Sequence, residues 1–256
     1  MTLLTIAIPC HNHYITTAKC LATIFKSDLT DIDYQVVIID DASDDFTPNI
    51  IKAMIKEGRR VQLITNKVNM GYVDSVNKVL RNLNSEYVLF LNNDVLLEPT
   101  CIRNLLAEML KRPEYGIIGG AQYDHLWREL SPLKYYVRGE EATLWNHILV
   151  KNLPTNPKDI IDVDITHFAC SISSKEVVNK VGIIEEIWRP GTYEQESWSL
   201  KVKEAGYKIG ISTISKYIHN HSTSTSDNAQ FWTNVLNQNR ETFWKMWGEK
   251  LRQNLI

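Results

Sequence analysis

Apolar residues alternate between two rhythms over the first hundred positions. Short runs rich in Val and Ile occupy 3–8, 35–39, 61–64 and 87–91, the pattern of strands buried on both faces. Stretches of helical period separate them. In 14–25 the residues Ala18, Leu21, Ala22 and Phe25 recur at helical spacing, and 49–57 and 73–83 behave alike. Strand and helix in alternation predict an α/β fold with a mostly parallel central sheet, because each parallel crossover must return over one face.

The second half is less regular. A helix is predicted over 100–110, entered through Pro99 and closed before Pro113, with a strand over 115–120. From 122 to 157 the periodicity fades and tryptophans, tyrosines and prolines accumulate, which reads as loops and short antiparallel pieces forming one wall of a second site. Further on, 160–172 is strand-like, 175–181 a short helix, 193–205 a longer one ending at Gly206, and 208–212 a strand. No linker or repeat divides the chain. The predicted organisation is one fold with a nucleotide-binding half over 1–120, an acceptor half over 121–225 and a helical segment over 226–256.

In parallel α/β sheets the ligand crevice lies beyond the carboxyl ends of the strands. Four successive strand ends here carry polar groups: Pro9-Cys10-His11-Asn12, Asp40-Asp41-Ala42-Ser43, the stretch from Asn66 to Gly71, and Asn92-Asn93-Asp94. With Tyr193-Glu194-Gln195-Glu196, Ala205-Gly206-Tyr207 and His219, these pieces stand in the order and spacing of family 2 of the inverting glycosyltransferases. Over about 3–225 the chain resembles that family, whose members have the GT-A fold.

The resemblance implies a role for each piece. Asp41 would accept a hydrogen bond from the nucleobase, commonly the N3–H of uracil, while Asp40 holds the turn. Pro9, His11 and Asn12 would shape a loop meeting base and ribose. Asn69 and Gly71 would stand near the donor, with the N-terminal N–H groups of the following helix turned to the diphosphate. Asn92 would touch the ribose or an ordered water near the metal, and Asn93 would stand with it among the nucleotide-sugar-binding residues. Asp94 would ligate Mn²⁺ or Mg²⁺ bridging the phosphates, with His219 reaching the same metal more readily than His221; one protein carboxylate suffices because the diphosphate supplies further oxygens.

The resemblance places the catalytic aspartate at Gln195, which cannot act as a base. Glu194 and Glu196 flank it as candidates. Glu194 is favoured because it belongs to the Glu-Asp pair of the family and needs the smaller change in helix start, whereas Glu196 lies one residue past the missing aspartate, about 100° round the helix from it. Thr192 and Gln195 also have the spacing of a capping box, a purely structural reason for Gln195. The implied activity is inverting transfer from a nucleoside diphosphate sugar, UDP-linked by preference, to a glycan or lipid-linked hydroxyl. A catalytically weakened or non-catalytic glycan-binding protein derived from the same fold is the alternative that Gln195 favours.

Composition narrows this picture only a little. The chain has 256 residues, 44% hydrophobic and 23% charged, with a formal net charge of -2, which gives no electrostatic reason to expect nucleic acid. A nucleotidyltransferase would call for a glycine- and lysine- or arginine-rich phosphate loop after the first strand, and none is there. Cys10, Cys20, Cys101 and Cys170 are too far apart for a zinc knuckle or redox pair and predict free thiols in a reducing compartment. With no run near the roughly 20 apolar residues of a membrane span, the expectation is a cytoplasmic protein. The stretch 231–251, with Phe231, Val235, Phe243, Trp247 and Leu251 at four-residue intervals among basic residues, suits core packing, a homodimer contact or shallow association with the inner face of a membrane.

Overall fold

The computed structural model describes residues 2–122, 160–220 and 228–253, and the backbone of 133–137 and 140–144. Each apolar run becomes a strand: β1 (Leu4–Cys10), β2 (Tyr34–Asp40), β3 (Val61–Thr65) and β4 (Tyr87–Leu91). They pair in parallel in the order β3-β2-β1-β4, with Cys10 beside Asp40 and Asp40 beside Thr65. This register matters for function, because it brings the polar residues after each strand to one edge of the sheet. The crossovers are α1 (Tyr14–Lys26), α2 (Thr47–Lys56) and α3 (Gly71–Arg81).

Beyond β4 the sheet turns mixed. A short β5 (Val95–Leu97) follows the Asn-Asn-Asp motif, then α4 (Cys101–Lys111) and β6 (Tyr115–Gln122). A separate antiparallel pair, β7 (Leu133–Val137) and β8 (Glu140–Leu144), falls where short antiparallel pieces are expected; the rest of 123–159, with the wall predicted there, lies outside the described residues. The strand-like run 160–172 is two strands, β9 (Ile160–Asp162) and β10 (Cys170–Ser174), separated by a loop. β10 inserts antiparallel between β4 and β6. Helices α5 (Lys175–Val181) and α6 (Glu194–Glu204) precede β11 (Lys208–His219), which runs seven residues past its predicted end at 212, and α7 (Ala229–Arg252) closes the described chain.

Strand alternation splits the core between the two faces of the sheet. Leu4, Ile6, Ile8, Val36 and Ile38 pack with Leu21, Ile24, Ile102 and Leu105 on the face of α1, α2 and α4. Ala7, Val37, Ile39 and Phe90 pack with Val76, Leu80, Trp198, Phe243 and Trp247 on the face of α3, α6 and α7. Each such apolar side chain contributes about 1.5–3 kcal/mol on full burial. The stripe of α7 therefore serves the core through Phe243 and Trp247, while Phe231, Leu236 and Met246 stay exposed. No helix of the described residues is long and apolar enough to cross a membrane. All four cysteines are free and buried.

Candidate active site

The first two strand ends are tied together by their own polar groups. His11 donates from Nδ1 to the Asp41 carbonyl at 2.8 Å. The Asn12 N–H reaches Ser43 Oγ at 2.7 Å, and Asn12 Oδ1 accepts from the Asp44 and Asp45 N–H groups. Asp40 holds the turn, as expected, by accepting the Ser43 N–H. Pro9 departs from expectation: it lies inside β1 beside Ile39 rather than in the loop.

Asp41 is buried, and its carboxylate is already well occupied. Oδ1 accepts from Asn66 Nδ2 at 2.6 Å and the Met70 N–H at 2.9 Å, and Oδ2 accepts the Gly71 N–H at 2.7 Å. Three of its roughly four acceptor sites are thus filled from within the protein. A carboxylate here also complements the positive end of α3. The expectation that the α3 N-terminus offers its N–H groups to a diphosphate is corrected accordingly. The Met70 and Gly71 N–H groups go to Asp41, Asn69 Oδ1 also accepts from Gly71, and the Val73 N–H meets the Pro190 carbonyl. Gly71 is required for a different close approach: its φ is +84°, and a Cβ there would stand 2.5 Å from Pro190.

The Asn-Asn-Asp motif divides three ways. The Asn92 N–H bonds the Ala169 carbonyl, and its Nδ2 stands 3.4 Å from His219 Nε2. Asn93 turns away, its buried amide committed to Thr17 Oγ1 on α1, so the contact with the nucleotide sugar expected of it is not supported. Asp94 faces His219, with Oδ1 3.0 Å from Nε2. β5 makes this meeting possible, because its antiparallel pairing sets His219 opposite Val95. His221 lies outside the described residues.

Asp94 and His219 fit a divalent cation. Both are almost wholly buried, and Asp94 Oδ1 makes no hydrogen bond among the described residues despite the nearby imidazole. A buried carboxylate oxygen without a donor is costly unless something else meets it. No group of three or more His, Cys, Asp or Glu side chains converges among the described residues, so a metal would take most of its oxygens from its substrate.

The first turn of α6 approaches the loop before β10, where Gln195 bonds Phe168, and the start of α3, where the Glu194 charge acts on Tyr72. Glu194 and Glu196 are buried and Gln195 is half-buried. The expected capping box does not form: the N-cap is Tyr193, in the left-handed region at φ 63°, and its side chain caps nothing. Gln195 instead accepts the Phe168 N–H at Oε1, 3.2 Å, and directs Nε2 to His167 Nδ1 at 3.0 Å. The loop before α6 is held from both sides. Arg189 makes a two-bond ion pair with Asp74 of α3, and Asn239 of α7 donates to the carbonyls of Trp188, Gly191 and Thr192.

Burial pushes the Glu194 carboxyl up to about 8, with the Glu196 charge adding to the effect. Glu196 is raised by burial as well. Oε2 of each makes no hydrogen bond among the described residues, and nor does the Tyr72 hydroxyl, whose ionisation burial and the Glu194 charge oppose. Tyr72 and His167 carry no signal in the sequence: one follows a helix-start glycine and the other sits inside a run that reads as a single strand.

The raised Glu194 has a consequence for stability. Between its unfolded value near 4.5 and its folded value near 8, the native state holds a proton that the unfolded chain has lost, so stability falls as pH rises through that window. The expected loss is of the order of a few kcal/mol. Thermal melts from pH 5 to 8 should show Tm falling in the wild type and a flatter profile in E194Q; equal slopes would exclude Glu194 as the source.

Comparison with known proteins bears on the family and the fold. Residues 5–182 match the model of a family described as glycosyl transferase family 2. The match ends before α6 and His219. An uncharacterized glycosyltransferase of Haemophilus influenzae is 25% identical over 85 residues, 33% of this chain and 26% of that protein. A poly-beta-1,6-N-acetyl-D-glucosamine synthase of Staphylococcus epidermidis is 23% identical over 113 residues, 44% of this chain and 27% of that protein. The matched stretches thus span about a quarter of these relatives' own length. Among solved structures, GalNAc-T7 with UDP, GalNAc and Mn²⁺ superposes with a TM-score of 0.71 at 13% identity, covering 86% of this chain and 44% of that one. A mannosyltransferase of Pyrobaculum calidifontis in complex with GDP-Man and Mn²⁺ gives 0.65 at 16%, covering 86% and 57%. At such identities these two likenesses concern the fold.

Proposed function

The chain belongs to glycosyl transferase family 2, and we propose on that premise that it moves a sugar from a nucleoside diphosphate donor to an acceptor hydroxyl of a glycan or lipid-linked molecule, with inversion. The observation that carries this reading is the meeting of Asp94 with His219 at the strand-end edge, 3.0 Å apart. A bound Mn²⁺ or Mg²⁺ supplies charge neutralisation to the departing diphosphate. Asp94 and His219 are the residues that would hold it.

The remaining work falls to the chain's own groups. The loop of His11 and Asn12, braced by Ser43 and Asp45, bounds the nucleoside side. Asp41 keeps that loop and the α3 start in register, and has one acceptor site left for a base N–H. Glu194 is the proposed base: its raised carboxyl gives a carboxylate of high proton affinity, suited to taking the proton of an attacking hydroxyl. UDP is the preferred nucleotide, since a uracil imide suits a carboxylate acceptor.

The occupied state of Gln195 favours a second reading, a glycan-binding protein without turnover, because its amide is spent on Phe168 and His167. One experiment separates the two. The wild-type protein is screened by thermal shift with UDP and GDP, each with and without Mn²⁺, then incubated with matching labelled sugar nucleotides and candidate glycans. Metal-enhanced binding followed by a product of inverted anomeric configuration is expected. Nucleotide or glycan binding without turnover selects the second reading, and binding of neither nucleotide nor glycan overturns both.

A further inference from the structure

Helix α7 changes character along its length. From Arg240 onward it carries charged residues and packs into the core through Phe243 and Trp247. From Asn228, its N-cap, to Asn239 it has no charged residue at all. Apart from Thr233, the exposed polar side chains of that half are all Asn or Gln. Among them stand Phe231, 45% exposed, and Trp232, half-buried. Their rings meet edge to face, with centroids 5.5 Å apart and planes at 77°.

The helix points this pair at the acceptor side of the site. Trp232 lies two turns before Asn239, so it continues the body-facing line of Asn239, Phe243 and Trp247. Where the core ends, Asn239 holds the loop before α6 through the carbonyls of Trp188, Gly191 and Thr192. Trp232 touches the same loop: a Cβ built on Gly191 would stand 3.8 Å from Trp232 Cζ3 and 3.6 Å from Tyr72 Cβ. Gly191 is three residues before Glu194, about 10 Å of chain even if fully extended. Tyr72 is the side chain whose hydroxyl feels the Glu194 charge.

Such a surface suits one kind of partner. A pyranose has a face of C–H groups that packs on an aromatic ring, and hydroxyls at its rim that exchange hydrogen bonds with amides. A membrane surface matches less well. Interfacial helices carry Lys and Arg along the polar face that accompanies their apolar one, and here the basic residues belong to the other half of the helix.

We propose that Trp232, steadied by Phe231, is the platform on which the acceptor glycan lays its terminal pyranose, with the attacking hydroxyl turned toward Glu194. This rests on the glycosyl-transfer reading for the identity of its ligand as an acceptor. The uncharged half of α7 then has a task that core packing does not give it.

Titration of the full chain followed by NMR tests the platform. The seven tryptophans give seven indole N–H signals, and the one missing from W232F belongs to Trp232. Chitotetraose, cellotetraose, mannotetraose and galactotetraose are added in turn, with Mn²⁺ and UDP or GDP present. The Trp232 signal is expected to move with at least one of them. Toward that glycan W232A should bind about tenfold more weakly, while W232F keeps most of the affinity and F231A lies between. Nucleotide affinity should stay unchanged in all three, since Asn239, Phe243 and Trp247 still dock the helix. Should W232A fail to fold, the wild-type titration alone decides. A Trp232 signal that answers none of the four overturns the platform, and so does equal glycan affinity in wild type and W232A. A signal that moves only with phosphatidylcholine–phosphatidylglycerol vesicles, or only with protein concentration, overturns it too and assigns the rings to a membrane surface or a second copy of the chain. Failure of the transfer reading looks different: glycan binding through Trp232 then persists without metal-enhanced nucleotide binding or turnover.

Discussion

Replacing Glu194 by glutamine is expected to lower the rate of sugar transfer by about 10²- to 10⁴-fold while leaving nucleotide affinity nearly unchanged. The reasoning begins with charge. An acceptor hydroxyl becomes a competent nucleophile only as its proton leaves, and neutral Gln195 cannot receive it. Glu194 can, once ionised. Since burial and Glu196 push its carboxyl up to about 8, the ionised fraction, and with it kcat/KM, should rise with pH through that region. One feature makes Glu194 the better candidate than Glu196: Oε2 of both is buried without a hydrogen bond among the described residues, but Glu196 Oε1 also receives the Gln195 amide in a long contact of 3.5 Å. E196Q is therefore expected to cost less than E194Q. Full activity in both variants would remove the glutamates from the mechanism. A large gain in Q195D would show instead that the natural chain runs with its base replaced.

Much of this site is legible in the sequence, and what is not divides by a physical rule. The four parallel strands can be read because residues buried on both faces produce local apolar runs, and the strand-end rule then locates Asp41 and Asp94. β5 has only three residues and exists through its pairing with β11. No local pattern announces so short a strand, so the sequence suggests the approach of His219 to Asp94 through resemblance alone. The failed capping box teaches the same lesson. Thr192 and Gln195 have the right spacing, yet Thr192 and Tyr193 both take positive φ and Gln195 is drawn to a backbone N–H 27 residues earlier. A long-range contact overrode a local preference. Asp41 is the subtler case: its position can be read, but the two N–H groups that fill it arrive from a helix start 29 and 30 residues away.

The second large effect is expected at Asp94. In the wild type, Mn²⁺ should strengthen nucleoside diphosphate binding, and in D94N that strengthening should vanish while weak metal-free binding persists. Losing a group that merely supports a metal ligand costs about 10- to 100-fold in metal affinity, and loss of the only carboxylate in the pair should cost more. H219A, which leaves the carboxylate in place, should reduce the enhancement without abolishing it. Asparagine keeps the shape of the side chain and its backbone acceptance of the Asn220 N–H, so the metal-free variant should melt within a few degrees of the wild type. Direct titration of Mn²⁺, followed by its electron paramagnetic resonance signal with UDP or GDP present, gives a readout that needs no turnover. An identical metal response in wild type and D94N would sink the assignment. The 3.0 Å approach of Asp94 Oδ1 to His219 Nε2 would then be a hydrogen bond within the protein, with Nε2 carrying the hydrogen, rather than two ligands of one cation.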